Sequence, residues 1–129
     1  SKQFKHNIMG INSTEVSYSF GQLGSVFTNV ANEDIKPPKG KVFVAITFLE
    51  DTTFDTQDGL IGDNDARTGR EYVGNAAAHN ESAGNASALS GSGGKGITDA
   101  DTFQAGLTIY GRWTTIDLAS GSIIAYIGD

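Results

Sequence analysis

Between residues 66 and 96 the sequence loses almost all of the large apolar side chains from which a protein core is built. Of these 31 residues, 21 are Ala, Gly, Ser or Asn, and Leu89 is the only large aliphatic residue after Val73. The seven glycines, at about 1 kcal/mol each in a helix interior, also argue against a long helix. We therefore expect a long Gly/Ala/Ser/Asn-rich loop inserted in the domain, with a core built from the segments on either side of it.

The flanking segments carry apolar side chains with the period of two that is typical of β-strands. Gly, Pro, Asn and Asp clusters separate them, and Pro37-Pro38 blocks helix and sheet alike because neither proline donates a backbone hydrogen bond. The predicted fold class is all-β, a small antiparallel sandwich or barrel-like domain over residues 15–129, preceded by an N-terminal arm, residues 1–14. The predicted strands are residues 16–20, 25–30, 41–49, 103–110, 113–118 and 122–127.

The run 41–49 carries apolar side chains on both faces of the strand that it predicts. One face is lined by Val42, Val44, Ile46 and Phe48, and the other by Phe43, Ala45 and Leu49. Such a strand is typical of the centre of an antiparallel sheet, or of a strand whose second face is covered by another subunit. Packing within the subunit is the favoured interpretation of the two.

The C-terminal quarter predicts a β-hairpin. Gly111 and Arg112 lie between two alternating runs, which allows one long strand bent at a bulge. The sequence Ala119-Ser120-Gly121 fits a three-residue hairpin loop whose last residue takes a positive φ at little cost. In that hairpin the facing pairs are Leu118 and Ser122, Ile116 and Ile124, Thr114 and Tyr126, and Trp113 and Ile127.

The chemical motifs favour neither catalysis nor metal binding. The chain has no cysteine, His6 and His79 are isolated, and Ser120 has no nucleophile elbow. An acidic cluster follows the run 41–49, but it lacks the ligand spacing and the glycine position of a calcium loop, so a solvated loop is the favoured interpretation. We expect no enzymatic activity, no cofactor and no metal site. The cluster consists of Asp51, Asp55, Asp58, Asp63 and Asp65.

The charge pattern bears on the partners of the chain. Nine basic and 15 acidic residues give a net charge of −6 at pH 7. The basic residues are spread from Lys2 to Arg112 and form no stripe that would follow a phosphate backbone, so we expect no direct nucleic-acid binding. No apolar run approaches the ~20 residues that a membrane-spanning helix needs, so we expect no membrane insertion.

Two sequence blocks at the C-terminal end carry a family resemblance, Ile-Tyr-Gly-Arg-Trp-Thr at 109–114 and Ala-Ser-Gly-Ser-Ile-Ile-Ala-Tyr-Ile-Gly at 119–128. The run 103–128, about a fifth of the chain, resembles the ending of small structural proteins encoded by tailed bacteriophages, especially marine and cyanobacterial ones. The resemblance implies a virion component.

Among small acidic glycine-rich β-proteins of that kind, the most natural member is a head-decoration (cement) protein. Such a protein would bind the major capsid protein on the outer surface of the head, without enzymatic activity, and we expect it to be a homotrimer. A tail or knob protein, or a host-surface carbohydrate-binding module, is the alternative, and a small hydrolase ranks third because it requires a cleft. The arm and the loop 66–96 would act as interaction segments. The residues predicted to contact a partner are Lys2, Lys5, Phe43, Leu49, Ala76, Ala77, Ala78, Tyr110 and Trp113.

Overall fold

The computed structural model of the chain describes residues 21–63, 72–75 and 95–129. All seven elements of this part are β-strands, so the prediction of an all-β fold is confirmed. The strands are β1 (Ser25–Thr28), β2 (Val42–Phe48), β3 (Thr53–Phe54), β4 (Leu60–Gly62), β5 (Thr108–Ile116), β6 (Leu118–Ser120) and β7 (Ile123–Gly128). The predicted strand at 16–20 lies outside the described residues, as do the arm and most of the loop 66–96.

The strands form two antiparallel sheets that share one core. Five of them make a sheet with the order β1-β7-β2-β5-β4, and β3 pairs with β6 in a second, two-stranded sheet. Phe54 and Leu118 of the small sheet belong to the same buried cluster as Ile46 and Ile123 of the large one. The arrangement corresponds to the small sandwich expected from the sequence.

The predicted run 41–49 forms β2, the middle strand of the large sheet. Both of its neighbours, β5 and β7, are hydrogen-bonded to it, which explains why both of its faces are rich in apolar residues. The predicted division of its side chains between two faces is wrong, because the register shifts between Phe43 and Ala45. This bulge resets the alternation, so that Phe43 joins Ile46 in the core of the subunit.

The predicted C-terminal hairpin is also wrong in its pairing. Strands β5 and β7 do not pair with each other, since β2 lies between them, with Phe43 opposite Trp113 on one side and opposite Ile127 on the other. After Ile116 the chain leaves the large sheet and forms β6, which pairs with β3. An alternating strand can pair with any partner of the same period, so the sequence pattern could not choose between β2 and β7.

Two local features of that region are confirmed. Gly121 has a φ of 100°, the positive value expected at the turn. Residues 108–116 form one continuous strand, and its register against β2 advances by three residues from Tyr110 to Trp113 while β2 advances by two. A Cβ at Gly111 would lie 2.8 Å from the indole ring of Trp113, so this bulge needs a residue without a side chain.

Three further elements differ from the predictions. The short strands β3 and β4 lie in the acidic segment after β2, which was predicted to be a solvated loop. The predicted strand at 103–110 is regular only from Thr108, and Phe103 instead forms an isolated bridge with Thr52. Phe103 stacks on Phe48, with ring centroids 5.1 Å apart. Its apolar side chain therefore contributes to packing without belonging to a strand.

A short piece of the loop 66–96 closes one end of the core. The indole Nε1 of Trp113 donates a hydrogen bond of 2.6 Å to the carbonyl of Val73, and the ring is completely buried. Asn75 binds the edge of β4, because its backbone N–H donates to the carbonyl of Leu60 and its side-chain oxygen accepts from the Leu60 N–H. Part of a segment that looked unsuited to core formation therefore packs against it.

We predict that Trp113→Ala lowers the free energy of unfolding by about 3–5 kcal/mol, the usual cost of truncating a buried aromatic residue. The exposed Leu107 provides the control, since Leu107→Ala removes a side chain that is outside the core and should change stability by less than about 0.5 kcal/mol. Urea denaturation followed by circular dichroism measures both. Equal stability losses in the two variants would contradict the packing described for Trp113.

Candidate interaction surface

The large sheet has a second face, which lies opposite the core. The strand register places the residues of this face in two rows. One row contains Phe27, Ile124, Thr47 and Thr108, and the other contains Ser25, Tyr126, Ala45 and Tyr110. The hydroxyl groups of Thr47 and Thr108 lie 2.9 Å apart, which places both side chains on the same side of the sheet. We call these eight residues the open face.

The intervening residues of the same strands point the other way. Val26, Ile46, Ile109 and Ala125 alternate with the open-face residues and belong to the core or pack against it. On the open face, by contrast, Phe27 is 59% exposed and Tyr110 is 62% exposed. The alternation of each strand therefore divides the sheet into a buried side and a side that presents aromatic rings to its surroundings.

No residue of the open face is charged. Ala45, in the middle, is only 1% exposed because the register places it between Tyr126 and Tyr110. Leu49, the residue directly after β2, is 44% exposed. An uncharged surface that presents aromatic rings among hydroxyl-bearing side chains is typical of a protein interaction site.

Charged groups lie at the end of the sheet beyond the open face. Lys41 precedes β2 and forms an ion pair with Asp129, which follows β7. Arg112 donates to the backbone carbonyl of Asp129 at 2.6 Å and pairs with Asp63 at 3.2 Å. Charged groups therefore border the uncharged open face at one end of the sheet, as polar groups commonly do at the margin of a protein interface.

The residues predicted to contact a partner lie in three different places. Leu49 and Tyr110 are exposed on or beside the open face. Phe43 and Trp113 are completely buried, so they support the sheet from the core and offer no surface to a partner. Lys2, Lys5 and the three alanines at 76–78 lie outside the described residues. The sequence analysis missed Phe27, Ile124 and Tyr126, whose shared face becomes evident only from the pairing of β1 with β7.

The described members of the predicted acidic cluster make separate contacts. Asp51 accepts a hydrogen bond of 2.9 Å from the backbone of Ala105, and Asp63 binds Arg112. Asp58 lies in a turn with a φ of 60°. Within residues 21–63, 72–75 and 95–129, no group of three or more metal-ligating side chains is arranged to hold a metal ion. Asp65 lies outside these ranges.

A different set of carboxyl groups comes together where the chain passes from the large sheet to the small one. Asp117 separates β5 from β6, and its backbone carbonyl accepts a hydrogen bond of 3.0 Å from Asp55. The bridge between Ile35 and Ile116 also brings Asp34 close to Asp117. Three acidic side chains therefore lie next to one another at the junction of the sheets.

Asp117 has the most unusual environment of the three. Its Oδ1 atom is buried without a hydrogen-bond partner among the described residues. Burial, together with the neighbouring carboxyl groups of Asp55 and Asp34, raises the pKa of Asp117 to about 6 from its ordinary value of 3.8. A hydrogen bond between two of these carboxyls requires a proton on one of them, so the cluster is better satisfied when protonated.

We predict that the stability of the domain falls as the pH rises from about 4 to about 6, because folded Asp117 still holds a proton that the unfolded chain has released. Asp117→Asn keeps the shape and removes the charge. It should raise the free energy of unfolding near neutral pH by about 1–2 kcal/mol, after allowance for solvent screening, and remove this pH dependence.

Asp101 provides the control, because its pKa is shifted in the opposite direction to that of Asp117. A hydrogen bond from the Lys95 ammonium, and one from the backbone of Thr98, hold the pKa of Asp101 below its ordinary value. Asp101→Asn should therefore destabilise the domain near neutral pH, with an effect that vanishes on acidification. Denaturation curves between about pH 3.5 and 8 test both variants. A gain in Asp117→Asn that is the same at every pH would contradict the proton linkage.

Within the described part of the chain, no helix is both long enough and apolar enough to cross a membrane. Comparison of the chain with protein-family models, with curated proteins and with solved structures finds no match.

Proposed function

We propose that this chain is a non-enzymatic decoration (cement) protein that binds the major capsid protein on the outer surface of a tailed-phage head and stabilises the shell. The observation that carries the proposal is the open face, on which Phe27 and Tyr110 are more than half exposed without a charged residue between them. The C-terminal resemblance to phage structural proteins supplies the identity of the partner. The predicted location is therefore the virion.

The physical basis of such a function is linkage. A subunit that binds only the assembled lattice stabilises it by RT ln(1 + [L]/Kd) at each site, and a shell offers many sites. Modest affinity per subunit is sufficient, so an interface centred on two exposed aromatic rings and a few aliphatic side chains is adequate. Aromatic residues are also the side chains that most often dominate interface energies.

The surface chemistry is compatible with a subunit that is first free and then docked. A net charge of −6 keeps free copies apart in solution. The uncharged open face lets the docked copy bury aromatic surface without desolvating a charge. A homotrimer would match the local three-fold positions of an icosahedral shell, and we include that oligomeric state in the proposal.

A second candidate function is carbohydrate binding in a tail, knob or host-surface adsorption module. It is favoured by the same two rings, because exposed aromatic side chains on a flat sheet can stack on sugar rings. Phe27 and Tyr110 lie three strand spacings apart in the register, or about 14 Å across the sheet, and thus form two separate platforms. The two functions differ in the ligand that the rings contact.

We predict that the double variant Phe27→Ser, Tyr110→Ser binds purified phage heads lacking this protein at least about tenfold more weakly than the parent chain. Val73→Ser is the control. It changes an apolar residue away from the open face. The backbone carbonyl of residue 73, which accepts a hydrogen bond from the indole N–H of Trp113, stays in place. Sedimentation of heads with labelled protein gives the bound fraction and the copy number per capsid subunit.

Two results would separate the candidates. Saturation near one copy per capsid subunit, together with heads that retain DNA to a higher temperature, would support the decoration function. The parent chain could instead fail to bind heads but bind host-surface polysaccharide, with the double variant losing that binding. This result would assign the open face to the adsorption function. Undiminished head binding by the double variant would contradict the role of the open face.

A further inference from the structure

Residues 73–75 form a strap that lies against the edge of β4, the last strand of the large sheet. The backbone N–H of Asn75 donates a hydrogen bond of 2.7 Å to the carbonyl of Leu60, and the Leu60 N–H donates one of 3.0 Å to Oδ1 of Asn75. These are the two kinds of hydrogen bond that a further antiparallel strand would give to one residue of β4. The strap therefore binds this edge in the manner of an added strand.

The side chain of Asn75 makes the contact selective for an amide. Its Nδ2 donates hydrogen bonds to the backbone carbonyls of Thr56, at 2.5 Å, and Asp55, at 3.3 Å. Its Oδ1 already accepts from β4, so both ends of the carboxamide are used. An aspartate in this position would have no donor for the two carbonyls and would place a negative charge against them.

The residue before Asn75 must be a glycine. Gly74 is buried, and a Cβ built on it would lie 2.5 Å from the carbonyl oxygen of Leu60. Two further hydrogen bonds hold the strap, because the Gly74 carbonyl accepts from the Ile97 N–H at 2.9 Å and the Val73 carbonyl accepts from the Trp113 indole at 2.6 Å. The site therefore recognises an extended segment by its backbone and by the pair Gly-Asn.

The strap adds hydrogen bonds to the domain but no side chain to its core. The buried apolar cluster includes no strap residue, and the side chain of Val73 is 36% exposed. Segments with few buried apolar contacts open at a lower free energy than the core strands do. The strap is therefore held in the way that a receptor holds a peptide, through main-chain hydrogen bonds and one selective side chain.

We propose that the β4 edge is a peptide-binding site that the strap keeps closed. The strap leaves the edge while both sheets stay folded, and the vacated edge binds an extended, uncharged segment with the sequence Gly-Asn from another polypeptide. Because the strap is linked to the site, it competes with such a partner at an effective concentration of roughly millimolar, and it acts as an autoinhibitory contact. This proposal is independent of the capsid binding assigned to the open face.

Hydrogen exchange measured by NMR tests the separate opening of the strap. The two reporter protons are the Leu60 amide and the Trp113 indole N–H, which both donate to the strap. In Asn75→Asp their exchange should be at least about tenfold faster than in the parent chain. The Phe103 amide, which donates to a carbonyl outside the strap, should keep its rate.

The matched control is Asn29→Asp, which makes the same chemical change at an exposed position in another part of the chain. It should leave the exchange of both reporter protons unchanged. Circular dichroism establishes that the two variants are folded.

A synthetic peptide tests binding from outside the chain. The probe is terminally blocked Tyr-Val-Gly-Asn-Ala, the sequence of residues 72–76. Added to Asn75→Asp at several times its dissociation constant, it should slow the exchange of both reporter protons by about twofold or more. The peptides Tyr-Val-Gly-Asp-Ala and Tyr-Val-Ala-Asn-Ala should have no effect, since the first lacks the amide donors and the second brings a Cβ against the Leu60 carbonyl.

Each outcome decides the proposal. Unchanged reporter exchange in Asn75→Asp would overturn the assigned contact, and equal acceleration of the Phe103 amide would overturn the separate opening of the strap. Faster reporter exchange that the probe peptide does not slow would overturn peptide binding. If Asn75→Asp does not fold, Gly74→Ala is measured in the same way, because its Cβ displaces the strap by contact with Leu60. Loss of folding in both variants would show that the strap is integral to the domain, which also overturns the proposal.

Discussion

The position of β2 between β5 and β7 is the constraint on which the rest of the structure depends. Phe43 has Trp113 on one side and Ile127 on the other, so a single residue connects the two C-terminal strands that do not pair with each other. The bulge after Phe43 then shifts the alternation of β2, so that Ile46 and Phe48 also face the core. Without this strand the sheet would separate into the pairs β1–β7 and β4–β5.

The open face follows from the same pairing. Once β2 is fixed, the residues that alternate with the core side chains are brought into rows across four strands, and the aromatic rings at Phe27, Tyr110 and Tyr126 fall on one side. The small sheet covers only the core side, since its Phe54 and Leu118 pack there. The rings of Phe27 and Tyr110 on the other face are exposed, and the composition of that face decides what it contacts.

The sequence was informative where structure is local and uninformative where structure depends on distant partners. Alternation located β2 and most of β5 and β7, Gly111 marked the bulge, and Gly121 marked a turn with positive φ. The pairing could not be predicted, because a period of two is shared by every strand and contains no information about its neighbour.

The two-residue strand β3 and the three-residue strand β4 were not predicted, because they are held by long-range hydrogen bonds, such as those from Asn75 to β4. The carboxyl cluster around Asp117 could not be predicted from the sequence either. Its members are separated in the sequence and meet only at the junction of the sheets.

The strand order also has a consequence for how the chain acquires its structure. Among the described strand pairs, only β4 and β5 are consecutive strands, and the long loop separates them in the sequence. Ser25 of the first described strand pairs with Tyr126 of the last, about a hundred positions away. Because the entropy of closing such long loops must be lost before any ladder forms, folding is slow relative to proteins rich in local contacts. On the ribosome, β2 is synthesised long before either of its partners, and it stays without its neighbours in the sheet until β5 and β7 have emerged. The domain therefore assembles late and as a unit, and the apolar β2 is the segment most exposed to aggregation during synthesis.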